Sequence, residues 1–138
     1  MIVTAALALS GALVPAQSAA AGVYACAVSA FLTTSSDDAA FVAGNTDKRF
    51  EVTVGAADLV ITSRSEQFTD ATKTYRIVMR DVMFVAARSE SAFATDTAVL
   101  PARAANPQAS AAFEMSIALQ APSFTNVWLL DCAPARAD

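Results

Sequence analysis

The chain has 138 residues, with 55% hydrophobic and 16% charged residues and a formal net charge of −4. That length suits one domain, and that apolar content excludes a chain too polar to fold. No basic run occurs, so a nucleic-acid backbone or an anionic membrane surface is not an expected partner. There are no histidines and only four glycines. This excludes a Ser-His-Asp triad and a His-bearing zinc site, and the glycines, scattered singly, form no phosphate-cradling loop. Alanine occurs 33 times, and arginine outnumbers lysine 7 to 2. These biases go with a GC-rich bacterial genome. Because alanine buries little area, the core is expected from Phe, Val, Ile, Leu and Met.

Ile2 to Val14 is an uncharged, predominantly apolar stretch. Pro15, Gln17 and Ser18 interrupt it, and small residues follow through Ala21. That layout predicts a secretory signal peptide over residues 1–21, cut after Ala20 or Ala21, and a single β domain over 22–138. Met1 leads directly into apolar sequence, without the positive charges that usually open such a signal. A transmembrane anchor needs about 20 apolar residues, and Pro15, Gln17 and Gly22 make poor lipid-facing material. A lipidated cysteine needs small residues before it, where Tyr24 precedes Cys26. The expected product is therefore periplasmic or secreted, with no stable membrane insertion after cleavage.

Cys26 and Cys132 are the only cysteines. An exported chain with two cysteines pairs them, and the bridge would staple the first strand to the last. A Cys-x-x-Cys redox motif is absent, and no imidazole is available to complete a metal site.

Tyr24, Cys26, Val28, Ala30 and Leu32 alternate with smaller residues and predict a first strand. The polar stretch from Thr33 to Arg49 predicts a loop, with at most one helical turn capped by Ser35 or Ser36. Phe50, Val52 and Val54 predict a strand face, and Gly55 marks a bulge or turn before Leu59 to Thr62. Between Thr74 and Arg88, Tyr75, Ile77 and Met79 oppose Arg76, Val78 and Arg80, with a bulge or turn near Asp81. Helix competes there on propensity, but the β-branched and aromatic content favours strand.

Ser91 to Leu100 predicts a short edge strand, and Pro101 to Ser110 a loop. Phe113, Met115, Ile117 and Leu119 alternate cleanly with Glu114, Ser116, Ala118 and Gln120. After a turn, Trp128, Leu130 and Cys132 share a face of the last strand. Six to eight strands without an amphipathic helix predict an all-β fold, a small antiparallel sandwich or barrel. Joining the first strand to the last favours the barrel.

Three constellations merit a chemical reading. Asp37, Asp38 and Asp47, with Asn45, would gather for calcium only if their loop closed, and their spacing departs from the EF-hand pattern. Arg76 and Arg80 on one strand would lie about 13 Å apart, too far to grip one small anion. Asp58, Glu66 and Asp81 carry no spacing that predicts a carboxylate pair for glycoside hydrolysis.

No catalytic residue, metal ligand or cofactor is therefore expected. The sequence predicts a non-catalytic exported β domain that binds a protein or cell-envelope partner. The alternative is a β-barrel that binds a small molecule in an apolar cavity lined by alanines.

Overall fold

The computed structural model describes residues 22–106 and 111–135; the predicted leader, residues 1–21, lies outside them. Eight strands are found among these residues: β1 Gly22–Thr33, β2 Arg49–Val54, β3 Asp58–Arg64, β4 Ala71–Arg80, β5 Phe84–Glu90, β6 Thr95–Pro101, β7 Phe113–Gln120 and β8 Thr125–Pro134. Each pairs antiparallel with its neighbour in sequence, and β1 pairs antiparallel with β8, so the sheet closes into a barrel. The expected edge strand is therefore not an edge. β6 is hydrogen-bonded to β5 on one side and β7 on the other, because closure removes every free edge.

The period-two pattern sets what points inward. Phe50, Val52 and Val54 of β2 are buried, as are Phe113, Met115 and Ile117 of β7 and Trp128, Leu130 and Cys132 of β8. An eight-stranded barrel is just wide enough for such side chains to meet across its axis. Only Ala87 and Ala98, which face each other across β5 and β6, bring alanine into the strand interior. The rest of the interior is built from large side chains.

Two bulges overturn the expected faces. The β1–β8 register shifts between Val28 and Ala30, so Phe31 packs against the core while Leu32 is 58% exposed. The β4–β5 register shifts between Ile77 and Met79. Tyr75 is buried and Ile77 partly so, but Met79 is turned out to 51% exposure. An extra residue in one strand inverts the alternation beyond it.

Cys26 and Cys132 face each other in the β1–β8 register, both buried, with their sulfurs at disulfide distance and their Cα atoms 4.1 Å apart. They sit on the seam that closes the barrel.

The two ends differ. At one end, the 3-10 turn Ala102–Ala105 folds over the opening. Ala104 is buried there, and the Tyr24 hydroxyl donates to its carbonyl at 2.7 Å. At the other end, β1, β3, β5 and β7 finish and β2, β4, β6 and β8 begin. The chain between β1 and β2 forms a helix there, α1 Ala39–Thr46. This is more than the single turn expected, and its N-cap is Asp38, whose carboxylate accepts from the Phe41 amide at 2.9 Å. An aspartate at this position satisfies an otherwise unpaired helix N–H.

Candidate functional site

The open end of the barrel holds a cavity of about 160 Å³. Its position follows from strand polarity. Phe50 lies at the start of β2, Ile61 midway along β3, and Ile117 and Leu119 in the second half of β7, and their apolar side chains wall the same opening. Two of its lining rings, Phe50 and Trp128, begin an aromatic series. The Phe50 and Trp128 ring centroids lie 6.2 Å apart, Trp128 and Phe31 5.3 Å, Phe31 and Phe41 6.0 Å, and Phe41 and Phe68 6.1 Å. These contacts run from the barrel interior through α1 to the loop after β3. Edge and tilted ring pairs at such distances are favourable beyond their buried area.

Charge is concentrated in this small space. Lys48 and Lys73 both line the cavity, and they are the only lysines in the chain. The Lys48 ammonium lies 4.9 Å from the Phe68 ring centroid and 5.0 Å from that of Trp128. Ring quadrupoles attract a cation but supply no counter-charge. Burial, and secondarily the Lys73 charge, hold the Lys48 pKa below the usual lysine range. Both disfavour its protonated form.

Lys73 stands opposite Ile61 in the β3–β4 register, and its ammonium donates to Oδ2 of Asp96. The Asp96 side chain is only 7% exposed, which places a carboxylate inside the rim. Among the described residues its Oδ1 has no hydrogen-bond partner, and neither has the indole Nε1 of Trp128. Buried polar atoms are seldom left unpaired. Tyr75 also lines the cavity. Burial, reinforced by the Asp96 charge, pushes its pKa well above the ordinary phenol value.

A larger groove of about 560 Å³ lies outside, between α1 and the loop after β3. Its Arg64 and Asp70 pair with each other at 3.8 Å, and both side chains are more than half exposed. Hydrated, mutually paired charges contribute little. The smaller cavity is the better candidate because it holds the buried carboxylate of Asp96 and the half-buried ammonium of Lys48 beside apolar walls.

The constellations picked out in the sequence are dispersed. Asp38 caps the start of α1 and Asp47 its end, while the Asn45 side chain bonds back to the Phe41 carbonyl inside the helix. A helix stands between these residues where a loop with at most one helical turn was expected. Arg80 donates to the carbonyls of Gly55 and Ala56 and ties down the β2–β3 turn. Arg76 stands between Asp58 and Arg88 in the sheet register. Glu66 is on the loop after β3, at the open end, whereas Asp58 and Asp81 lie at the covered end. Among the described residues no cluster of three His, Cys, Asp or Glu side chains could hold a metal ion.

Lys48, Lys73 and Asp96 escaped the sequence reading, although a signal was present. Lys73 shares the odd-numbered face of Tyr75, and Asp96 shares the even-numbered face of Ala98 and Leu100, so alternation alone points both inward. Compared with protein-family models, curated proteins and solved structures, the chain matches none.

Proposed function

We propose that this protein is an exported, non-catalytic β-barrel that binds a small molecule in the cavity at its open end. One observation carries the reading: the chain's two lysines, and a buried carboxylate with an oxygen unpaired among the described residues, line one small cavity with largely apolar walls. Apolar pockets with a few converging polar groups are the usual form of ligand sites. The volume sets the size of the guest, since a cavity of roughly 150 Å³ accepts benzene.

The absence of histidine from the sequence and the separation of Glu66 from Asp58 and Asp81 support a binding role without chemistry. The apolar stretch Ile2 to Val14 and the paired cysteines support export, because disulfides persist in oxidising compartments.

Ligand-observed NMR with a set of single-ring fragments tests the reading on the wild type and on Ser63→Phe, which places a ring in the cavity mouth. A subset is expected to bind the wild type and to be lost from the variant, with far-UV circular dichroism unchanged. Fragments that ignore the wild type, or that bind a folded Ser63→Phe equally well, would refute it.

A second reading, docking on a protein or cell-envelope partner, is favoured by the hairpin joining β4 and β5. Val78 and Met79 are half exposed there, Met83 is 73% exposed and Val82 92%. Exposed apolar clusters mark interaction surfaces. A periplasmic component retained by the wild type and released by a Val82→Ser, Met83→Ser variant is expected. Equal retention by the two removes this reading.

A further inference from the structure

We propose that the ligand of the open-end cavity is a small monocarboxylate with a compact apolar body, an aromatic or branched aliphatic acid. This rests on the small-molecule reading above and adds the class of the guest.

Charge decides the sign. Lys48 and Lys73 bring two positive charges to the cavity and Asp96 one negative, which leaves one net positive charge inside an acidic protein. Lys73 is committed to Asp96. Lys48 is not: among the described residues no carboxylate lies within ion-pair distance of it, and it rests on the faces of Phe68 and Trp128. A half-buried ammonium beside a second ammonium is stabilised by an anion that enters the same space.

Geometry and charge together limit the anion. The Nε1–H of Trp128 is a buried donor without an acceptor among the described residues, on the very ring that Lys48 overlies. A carboxylate has two oxygens, one for the ammonium and one for an indole N–H. A dianion such as a phosphate monoester would overcompensate the single net charge. A cationic guest would face two ammoniums. Beyond the charged groups, Phe50, Ile61, Ala71, Ile117 and Leu119 supply apolar wall, and only the hydroxyls of Ser63, Thr69 and Tyr75 add polar side-chain atoms. The rest of the guest is therefore largely apolar, and the cavity volume of about 160 Å³ suits one ring or a short branched chain.

The test uses calorimetry and the fluorescence of Trp128, the single tryptophan. Benzoate, benzamide, benzylamine and phenylphosphonate are titrated into the wild type and into Lys48→Met at neutral pH. Benzoate is expected to bind about ten-fold more tightly than the other three, the scale of one charge-assisted hydrogen bond. Lys48→Met is expected to erase that preference and leave benzamide affinity within about two-fold. Thermal melts establish that the variant is folded. If benzamide or benzylamine equals benzoate, or if a folded Lys48→Met keeps the preference, the carboxylate assignment is wrong while the ligand site stands. If all four fail to bind, and the fragment set also ignores the wild type, both the assignment and the site fall.

Discussion

The ammonium of Lys73, on β4, meets the carboxylate of Asp96, on β6, across a strand that neither belongs to. The β4–β5 register ends at Arg76 and Arg88, so this ion pair spans the wall where backbone pairing between those strands has stopped. Asp96 is almost fully buried, while the Lys73 side chain keeps 47% of its exposure. The two partners are therefore not equivalent. Removing the lysine strands a buried charge, and removing the aspartate leaves an ammonium that can turn to water.

Lys73→Met should destabilise the fold by about 2–3 kcal/mol, and Asp96→Leu by less. The double variant should recover most of the loss, since a buried pair replaced as a unit by apolar groups is often neutral. Urea denaturation of the three variants and the wild type closes the double-mutant cycle. Equal losses for the two single variants would contradict the asymmetry.

Both tyrosines of the chain are buried, and burial raises both phenol pKa values. It outweighs the Arg103 charge at Tyr24 and is reinforced by Asp96 at Tyr75. Absorbance at 295 nm should therefore show little phenolate in the native protein at pH 10, near the ordinary pKa of 10.0, and full ionisation on unfolding. The unfolded chain releases these protons first as pH rises. The tyrosine contribution to stability is thus present below pH 10 and is lost progressively above it.

Lys48 works in the opposite direction. Its folded pKa lies below the ordinary 10.5, so the unfolded chain holds the proton through the window between the two values. Stability should rise with pH across that window, and Lys48→Met should abolish the rise. With only two lysines present, competitive acetylation read by mass spectrometry resolves them. Lys48 is expected to reach half-maximal reactivity at a lower pH than a lysine in the denatured chain.

Closing a loop between residues 106 apart in sequence lowers the entropy of the unfolded chain by about 4–5 kcal/mol in free-energy terms. Cys26→Ala with Cys132→Ala should lose much of that, seen as a lower guanidinium midpoint. The wild type under strong reductant should approach the same value. The barrel should persist, because β1 and β8 remain paired by their backbone from Tyr24 to Thr33.

Gly44 lies where α1 meets the loop after β3. A Cβ there would come within 2.4 Å of Gln67 Oε1 and 2.9 Å of the Phe68 ring. Gly44→Val should push that loop off the helix at a cost of about 1–3 kcal/mol. Phe68 would then no longer cover Lys48, and faster acetylation of Lys48 than in the wild type is the expected readout.

Local alternation carried much of the fold into view. In β2, β7 and β8 each apolar residue repeats every second position, and a strand sends such residues to one face whatever lies around it. The cysteine pair placed the first strand beside the last for the same reason, since a disulfide holds two Cα atoms close. The faces of β1 and β4 were misread beyond Val28 and Ile77 because a bulge depends on the partner strand, which the strand's own residues do not name. The cavity was hidden more completely. Lys48, Lys73, Asp96 and Trp128 come from four separate segments, and each alone reads as a surface charge or a core ring. What brings them together is barrel closure, which buries the Asp96 carboxylate and the Trp128 ring at one opening and sets the two lysines beside them. Such desolvation belongs to the assembled enclosure and to no single stretch of chain.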